Sequence, residues 1–329
     1  MKTKIIRIST YTLIYIFITI FYCCTENEIY LTDTHNKIVI NGLISTDNKF
    51  GVNISKSVPV TDTTWVNENL LNTASVELYE NGVYIDTLRN LDFVLVDGGI
   101  KITDNYVHDH AYPQCNKHYS LRVSAPGFED VYSTIVIPSL VEIEKLDTTV
   151  LELEGNFEEW ESKIHFICDI MFSDPGNEMN YYLVYIFSKV YKKDSFGNFY
   201  PGGELYHICF TSEDPVIEEK IASGTVNYGI AFSDKVINSK SYKLTIKIND
   251  NDIYMPDHDL GFYKVYKTVI YFKFYSITED YYTYIQTLNK FTGNINNPFT
   301  DPVQVHTNIE GGLGILGAAA VSTDSLVFK

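Results

Sequence analysis

The chain has 329 residues, 45% of them apolar, with 42 Asp+Glu against 25 Lys+Arg and a formal net charge of −17. That apolar content supports a sizeable core and argues against disorder, and the length suits one large domain or two ordinary ones. So acidic a chain is a poor partner for nucleic acid or an anionic lipid surface, and its acidity reads first as solubility.

The first residues carry Lys2, Lys4 and Arg7 with no acid, and an apolar stretch follows from Ile8 to Tyr22. A basic start and a short apolar run have the plan of a secretory signal peptide. The run is shorter than the roughly 20 residues a spanning helix needs. Cleavage after the small Cys23 makes Cys24 the first residue of the mature chain, as in a bacterial lipoprotein acylated on that thiol. Several acyl chains, at about 0.8 kcal/mol per buried CH₂, hold such a protein firmly on a membrane. The alternatives are a plain secreted protein or an uncleaved anchor. The expectation is a signal peptide over 1–23 and a flexible tether over 24–36. Removing 1–23 takes the three bases and no acid, which moves the net charge from −17 to −20.

β signals then begin. "KIVINGLIS" (37–45) and "GVNISKSVPV" (51–60) are short β-branched runs. In "ASVELYENGVYIDTLR" (74–89), Val76, Leu78, Val83 and Ile85 flank Asn81-Gly82, a pair suited to a type I′ hairpin turn. "HYSLRVSAPGFEDVYSTIVIP" (118–138) alternates Tyr119, Leu121, Val123 and Ala125 with polar residues, then turns at Pro126-Gly127. Short strands at this spacing predict an immunoglobulin- or transthyretin-like sandwich over 37–138.

Pro138 and the acidic segment after it mark a second, β-rich (α+β) domain over 139–329. Its strand candidates are "KIHFICDIMF" (163–172), "YYLVYIFSKVY" (181–191), "ELYHICF" (204–210), "YKLTIKIND" (242–250) and "YKVYKTVIYFKFY" just before Ser276. One helix is predicted over 277–290, with Ser276 and Glu279 at capping-box spacing, Gly293 at its end, and Tyr281, Tyr282, Ile285 and Leu288 on the buried stripe. Beyond Cys24 the mature chain keeps Cys115, Cys168 and Cys209, of which Cys168 and Cys209 are a candidate disulfide.

Three constellations bear on chemistry. "VHDHAYPQCNKHYS" gathers His108, His110, Cys115 and His118, soft donors suited to zinc or copper, set against a polar loop that happens to be histidine-rich. "INDNDIYMPDHDLG" gathers Asp250, Asp252, Asp257 and Asp259, hard donors suited to calcium, but without the glycine and terminal glutamate of an EF-hand loop. "GGLGILG" holds Gly312, Gly314 and Gly317 at dinucleotide-fingerprint spacing, with no βαβ unit around it; tight packing in a terminal hairpin explains it better. No nucleophile elbow, zinc-protease or SxxK motif occurs. The 26 Tyr, 19 Phe and 2 Trp either form cross-strand core pairs or a face that binds sugar, peptide or a partner.

"VNISKSVPVTDT", "ASVELYENG", "YSLRVSAPGFEDVYSTIVIP", "FSDPGNEMNYYLV" and, above all, the run from "EDYYTYIQTLNKFTGNINNPFTDP" through "NIEGGLGILGA" resemble the Bacteroidetes outer-membrane lipoproteins grouped as domain-of-unknown-function family 4249. The resemblance covers nearly all of the mature chain. It implies a lipid-anchored envelope protein with gene neighbours encoding TonB-dependent transporters, and no catalytic or ligand residue. Cys115 and His118 depart from the family's turn at that point. Glu26 and Glu28 resemble surface-export signals, so the expected address is the outer membrane facing the exterior, the alternative being the periplasmic side. The expected function is non-enzymatic: an accessory to a TonB-dependent barrel in nutrient capture, without cofactor, held to the membrane through Cys24. A surface adhesion or structural protein binding through its sandwich is the rival, and an unrecognised envelope hydrolase the third reading.

Overall fold

Residues 313–321, "LGILGAAAV", are apolar at every position, the pattern of a strand buried on both faces. In the computed structural model they begin β17 (Leu313–Phe328), a strand shared by two apolar cores. The structure describes residues 36–59, 69–91, 104–110, 112–152, 164–176, 178–194, 196–202, 205–217, 229–249, 267–294 and 303–328. Asn36–Lys329 forms one compact unit.

In the first core, β1 (Ile38–Ser45) pairs antiparallel with β2 (Gly51–Lys56), and the sheet continues through β6 (Tyr106–Val107) to β5 (Arg89–Asn90). Facing it is an antiparallel sheet in the order β4 (Val83–Thr87), β3 (Ser75–Glu80), β7 (His118–Ser124), β8 (Val131–Val136). The expected alternation holds: Tyr119, Leu121 and Val123 of β7 and Val76 and Leu78 of β3 face inward against Ile40, Ile54 and Tyr106. Each such aliphatic or aromatic side chain contributes about 1.5–3 kcal/mol on full burial. The sandwich closes only with the end of the chain. Residues 313–319 of β17 pair in parallel with β1, Leu313 opposite Val39 and Ala319 opposite Ser45, and add Leu316, Ala318 and Ala320 to the core.

The second core starts at Val141. A three-stranded sheet, β9 (Lys145–Glu152), β10 (Ile164–Ser173) and β15 (Ser241–Asn249), packs on β11 (Tyr181–Lys193) and β16 (Lys267–Ile277). Residues 319–328 of β17 pair antiparallel with β16, so one sheet runs continuously past both cores. β12 (Phe199–Pro201), β13 (Tyr206–His207) and β14 (Gly229–Ser233) pair with successive parts of β11. Phe172, Tyr182, Phe232 and Phe274 form an aromatic cluster with centroids 4.6–6.3 Å apart. The helix α1 (Glu279–Asn294) lies on the opposite face, where Tyr281, Tyr282 and Ile285 pack on Leu183, Tyr275, Ile277 and Ala319. No helix among the described residues is long and apolar enough to cross a membrane.

The chain is mainly β, with this one helix among the described residues, as its sequence predicts. Several details differ. Ser276 is not the helix cap: it stays in β16, where its hydroxyl accepts the Val141 N–H at 3.3 Å, while Thr278 precedes the helix and its carbonyl accepts Tyr282 N–H at 3.0 Å. The helix runs one residue past Gly293, and Leu288 is half-buried outside the cluster under Tyr281 and Ile285. Asn81 and Gly82 make the expected hairpin with φ of 51° and 79°, but a register shift at Leu78/Tyr79 leaves Val83 and Ile85 exposed on the edge strand. Among the described residues of the 204–210 run, Tyr206–His207 alone is strand, although Ile208 and Phe210 reach the core. No disulfide joins Cys168 and Cys209. Cys168 is buried, which pushes its thiol up to about 11 and keeps it protonated.

The glycine run serves a strand rather than a hairpin or a cofactor. Asn308 clamps the entry, donating to Leu316 O at 2.9 Å and accepting Leu316 N–H at 3.0 Å. Gly314 has φ +96°, and a Cβ there would strike the Ile40 carbonyl oxygen, which is backbone and cannot swing away. At Gly317 the Tyr281 ring of α1 occupies the space of a side chain. Gly314→Ala is therefore expected to cost at least about 2 kcal/mol, since left-handed strain of about 1–2 kcal/mol adds to a backbone collision. Gly82→Ala meets only the strain, because nothing lies within 4 Å of its Cβ position. Urea unfolding of the two variants checks the ranking; equal losses would mean that the β1–β17 approach is not as tight as described.

Candidate functional site

β11 and β16 read as aromatic-rich strands, and their two faces do different things. Successive side chains of a strand point to opposite sides. Tyr182, Val184 and Ile186 of β11 and Ile270, Phe272 and Phe274 of β16 face the second core. The intervening residues face outward. Register brings Tyr185 opposite Lys273, Phe187 opposite Tyr271, Lys189 opposite Val269 and Tyr191 opposite Lys267, and β12 adds Phe199 opposite Lys193. The helix covers only one end of this face, at Leu183, Tyr275 and Ala319.

Beyond the helix, lysines and rings interleave. Lys267 Nζ sits 5.2 Å from the Tyr191 centroid and 5.9 Å from that of Phe199, Lys193 Nζ 5.6 Å from Phe199, and Lys273 Nζ 5.6 Å from Phe187. Lys273 also pairs with Asp47 at 2.6 Å, which ties the turn after β1 to the face. Lys189, Lys193 and Lys267 have no acidic partner among the described residues. The Tyr185 and Tyr275 phenols are raised by burial, and Tyr271 is raised by the neighbouring Tyr191 hydroxyl. These phenols stay neutral at physiological pH, so the charge of the face is that of its lysines. The result is a cationic, ring-bearing sheet surface on a chain of net charge −17. Flat rings offer stacking area to a sugar or peptide, and ammonium groups meet carboxylate or sulfate.

The cluster at 107–118 has a different part. His108 Nδ1 accepts the His110 N–H at 3.1 Å and its Nε2 lies 3.3 Å from Asp86 of β4, so both ring nitrogens have protein neighbours. Cys115 packs on the first core and His118 opens β7. Among the described residues no group of three His, Cys, Asp or Glu side chains gathers, here or elsewhere, to hold a metal ion. Asp250, Asp252, Asp257 and Asp259 lie outside the described residues, as does Cys24. A cleft of about 650 Å³ near the β1–β2 turn is lined by Asp47, Lys49, Arg89, Asp104, His108 and Asp109 among others; Arg89 grips Asp109 at 2.8 and 3.0 Å, and burial pushes Asp104 up to about 6. His306 Nε2 lies 2.8 Å from Asp280 and its backbone N–H donates to Thr287 at 2.9 Å, which fastens residues 303–309 to α1.

The lysine–aromatic face was missed as a site by sequence reasoning. Its signal lies in the odd-numbered positions of "YYLVYIFSKVYKK" and "KTVIYFKFYSI", which carry Tyr185, Phe187, Lys189, Tyr191, Lys193, Lys267, Tyr271 and Lys273, while the even positions from 182 to 186 and from 270 to 274 are apolar or aromatic. Lys267→Ala removes two ring contacts and is expected to cost about 0.5–1 kcal/mol in urea unfolding. Lys189→Ala, which has no ring or acid contact to lose among the described residues, should stay within about 0.5 kcal/mol of the parent. A larger loss at Lys189 would give it a structural role instead.

No curated protein matches the chain. Among solved structures, a chain described as the B domain of a biofilm associated protein is 8% identical, with 88% of this chain and 85% of that chain covered at a TM-score of 0.18, a value that carries no argument. A family model described as a domain of unknown function, DUF4249, matches residues 25–325, a span that takes in both cores, the helix and the lysine–aromatic face. The chain belongs to the DUF4249 family.

Proposed function

We propose that this protein is a lipid-anchored lipoprotein of the bacterial outer membrane, exposed to the exterior, that serves without catalysis as an accessory to a TonB-dependent transporter in nutrient capture. The observation that carries the reading is the half-buried lysine–aromatic face, a sheet surface of an acidic body on which several lysines stand among rings. The N-terminal pattern supports the address: Lys2, Lys4 and Arg7, an apolar run, then Cys24. An acylated Cys24 followed by a polar segment leaves the β-rich body free to reach a barrel beside it, with the face as the contact.

A second reading, adhesion through the first sandwich, is favoured by β4. It is an edge strand, exposed at all five positions, and presents Val83, Tyr84 and Ile85. Such an edge is open to strand addition by another chain.

Affinity purification of the full chain, C-terminally tagged, from its native membranes in mild detergent tests the first reading. One TonB-dependent barrel is expected in near-equal amount, and Lys189→Glu with Lys267→Glu is expected to release it. A preparation without a barrel overturns the transport reading and puts strand addition at β4 forward. The anchor has its own measurement. Cys24→Ala should lose acyl labelling and move to the soluble fraction; retained labelling would overturn the lipoprotein assignment.

A further inference from the structure

The loop after β10 and the loop after β14 interlock at one end of the second core, and their centre holds two buried acids. Asp234 is 0% exposed and Asp174 5%. Asp174 accepts the Tyr182 hydroxyl and, at 2.9 Å, the Ser239 N–H. Asp234 Oδ2 accepts the Asn180 backbone and side-chain N–H groups at 2.9 and 3.2 Å. Asp234 Oδ1, equally enclosed, has no hydrogen-bond donor. Neither acid has a Lys, Arg or His partner among the described residues. The two are close enough for the Asp234 charge to raise Asp174, after burial as the larger cause.

This arrangement is unfavourable as it stands. A carboxylate removed from water needs a counter-charge or a full set of donors, and an unpartnered buried carboxylate oxygen has neither. A bound cation supplies both at once. The surroundings are oxygen-rich and contain no thiol: the carbonyls of Pro175 and Glu178 and the side-chain oxygen of Asn238 lie in the same two loops. Hard oxygen donors on irregular loops suit calcium, which accepts six to eight oxygens in flexible geometry, better than magnesium, which demands a regular octahedron.

We propose that Asp174 and Asp234 form a calcium site that locks the two loops together, with Asp234 Oδ1 as a direct ligand and loop carbonyls and water completing the shell. The site shares no residue with the lysine–aromatic face or with the acidic run at 250–259. Its role is to fix the ends of β10, β11, β14 and β15, and with them the frame that carries β11.

The test is thermal unfolding of the full chain in mild detergent, stripped with chelator and titrated with calcium or magnesium, with stoichiometry by calorimetry. Calcium at about 100 times its dissociation constant should raise Tm by roughly 4 °C or more, and magnesium far less. Asp234→Asn keeps an oxygen for the Asn180 donors and removes the charge. It should weaken calcium binding at least about tenfold, yet leave the calcium-free protein as stable as the parent or more so. A purely structural aspartate would lose stability on that change. Replacing Asp250, Asp252, Asp257 and Asp259 by Asn should leave the calcium response intact. The proposal is overturned if calcium does not shift the parent, if Asp234→Asn responds like the parent, or if the response vanishes in the 250–259 variant alone. An absent calcium response with stability rising on acidification would mean that a shared proton relieves the pair instead.

Discussion

Everything in this fold depends on the parallel contact between β1 and β17. The strand nearest the start of the compact unit and the strand at its end lie side by side from Val39/Leu313 to Ser45/Ala319. A parallel neighbour cannot be reached by a tight turn, and here the connection runs through β2 to β16 and the helix. The contact makes the first sandwich incomplete without the chain's last residues and turns two packed layers into one continuous sheet. Its tightness explains the composition of the strand. Gly314 yields to the Ile40 carbonyl, Gly317 to the Tyr281 ring, and Ala318–Ala320 are fully buried. Larger side chains there would push apart layers that pack at near-crystalline density.

With β17 fixed, β16 and β11 follow by antiparallel register, and their two faces acquire separate roles. The inner face gathers rings into the second core, where edge and tilted contacts add to the area they bury. The outer face is divided between the helix and the lysine–aromatic surface. Lysines there hold their alkyl chains along the sheet and their ammonium groups over rings, which keeps large aromatic surface presentable to water while leaving it open to a partner. The Lys273–Asp47 pair, with side chains 23% and 21% exposed, links that surface to the turn after β1. The lysine–aromatic face is thereby positioned by the same strand order that closes the first sandwich.

Polar groups within the framework act as local replacements for missing strand neighbours. Asn105 meets Ile54 with both its amide oxygen and its nitrogen, at 2.7 and 3.0 Å, and Asn308 does the same for Leu316. Tyr106 accepts the Ala74 N–H and donates to Leu71 O, satisfying a fully buried phenol. Among the described residues His165 Nδ1, Thr268 Oγ1 and Gln286 Oε1 are also buried without a partner, but Asp234 Oδ1 is the one such atom that belongs to an acid, for which burial costs most.

Local pattern alone determined the β character of the chain, the β7 alternation, the Asn81-Gly82 turn and the existence of the helix, because each depends on residues within a few positions of one another. Ile137 packs in the first core and Val141 in the second, while Ile309, Leu316, Ala318 and Ala320 return to the first. Tertiary structure decided the rest. Whether Ser276 caps a helix or remains in a strand depends on Val141, 135 residues away. The outward exposure of Val83 and Ile85 follows from a register shift against β3 that no periodicity records. The lysine–aromatic face needed β11, β12 and β16 to be brought into register, and the Asp174–Asp234 pair needed two loops 60 residues apart in the chain to interlock. Side-chain spacing encodes which face a residue occupies; only the pairing of distant strands says what that face will meet.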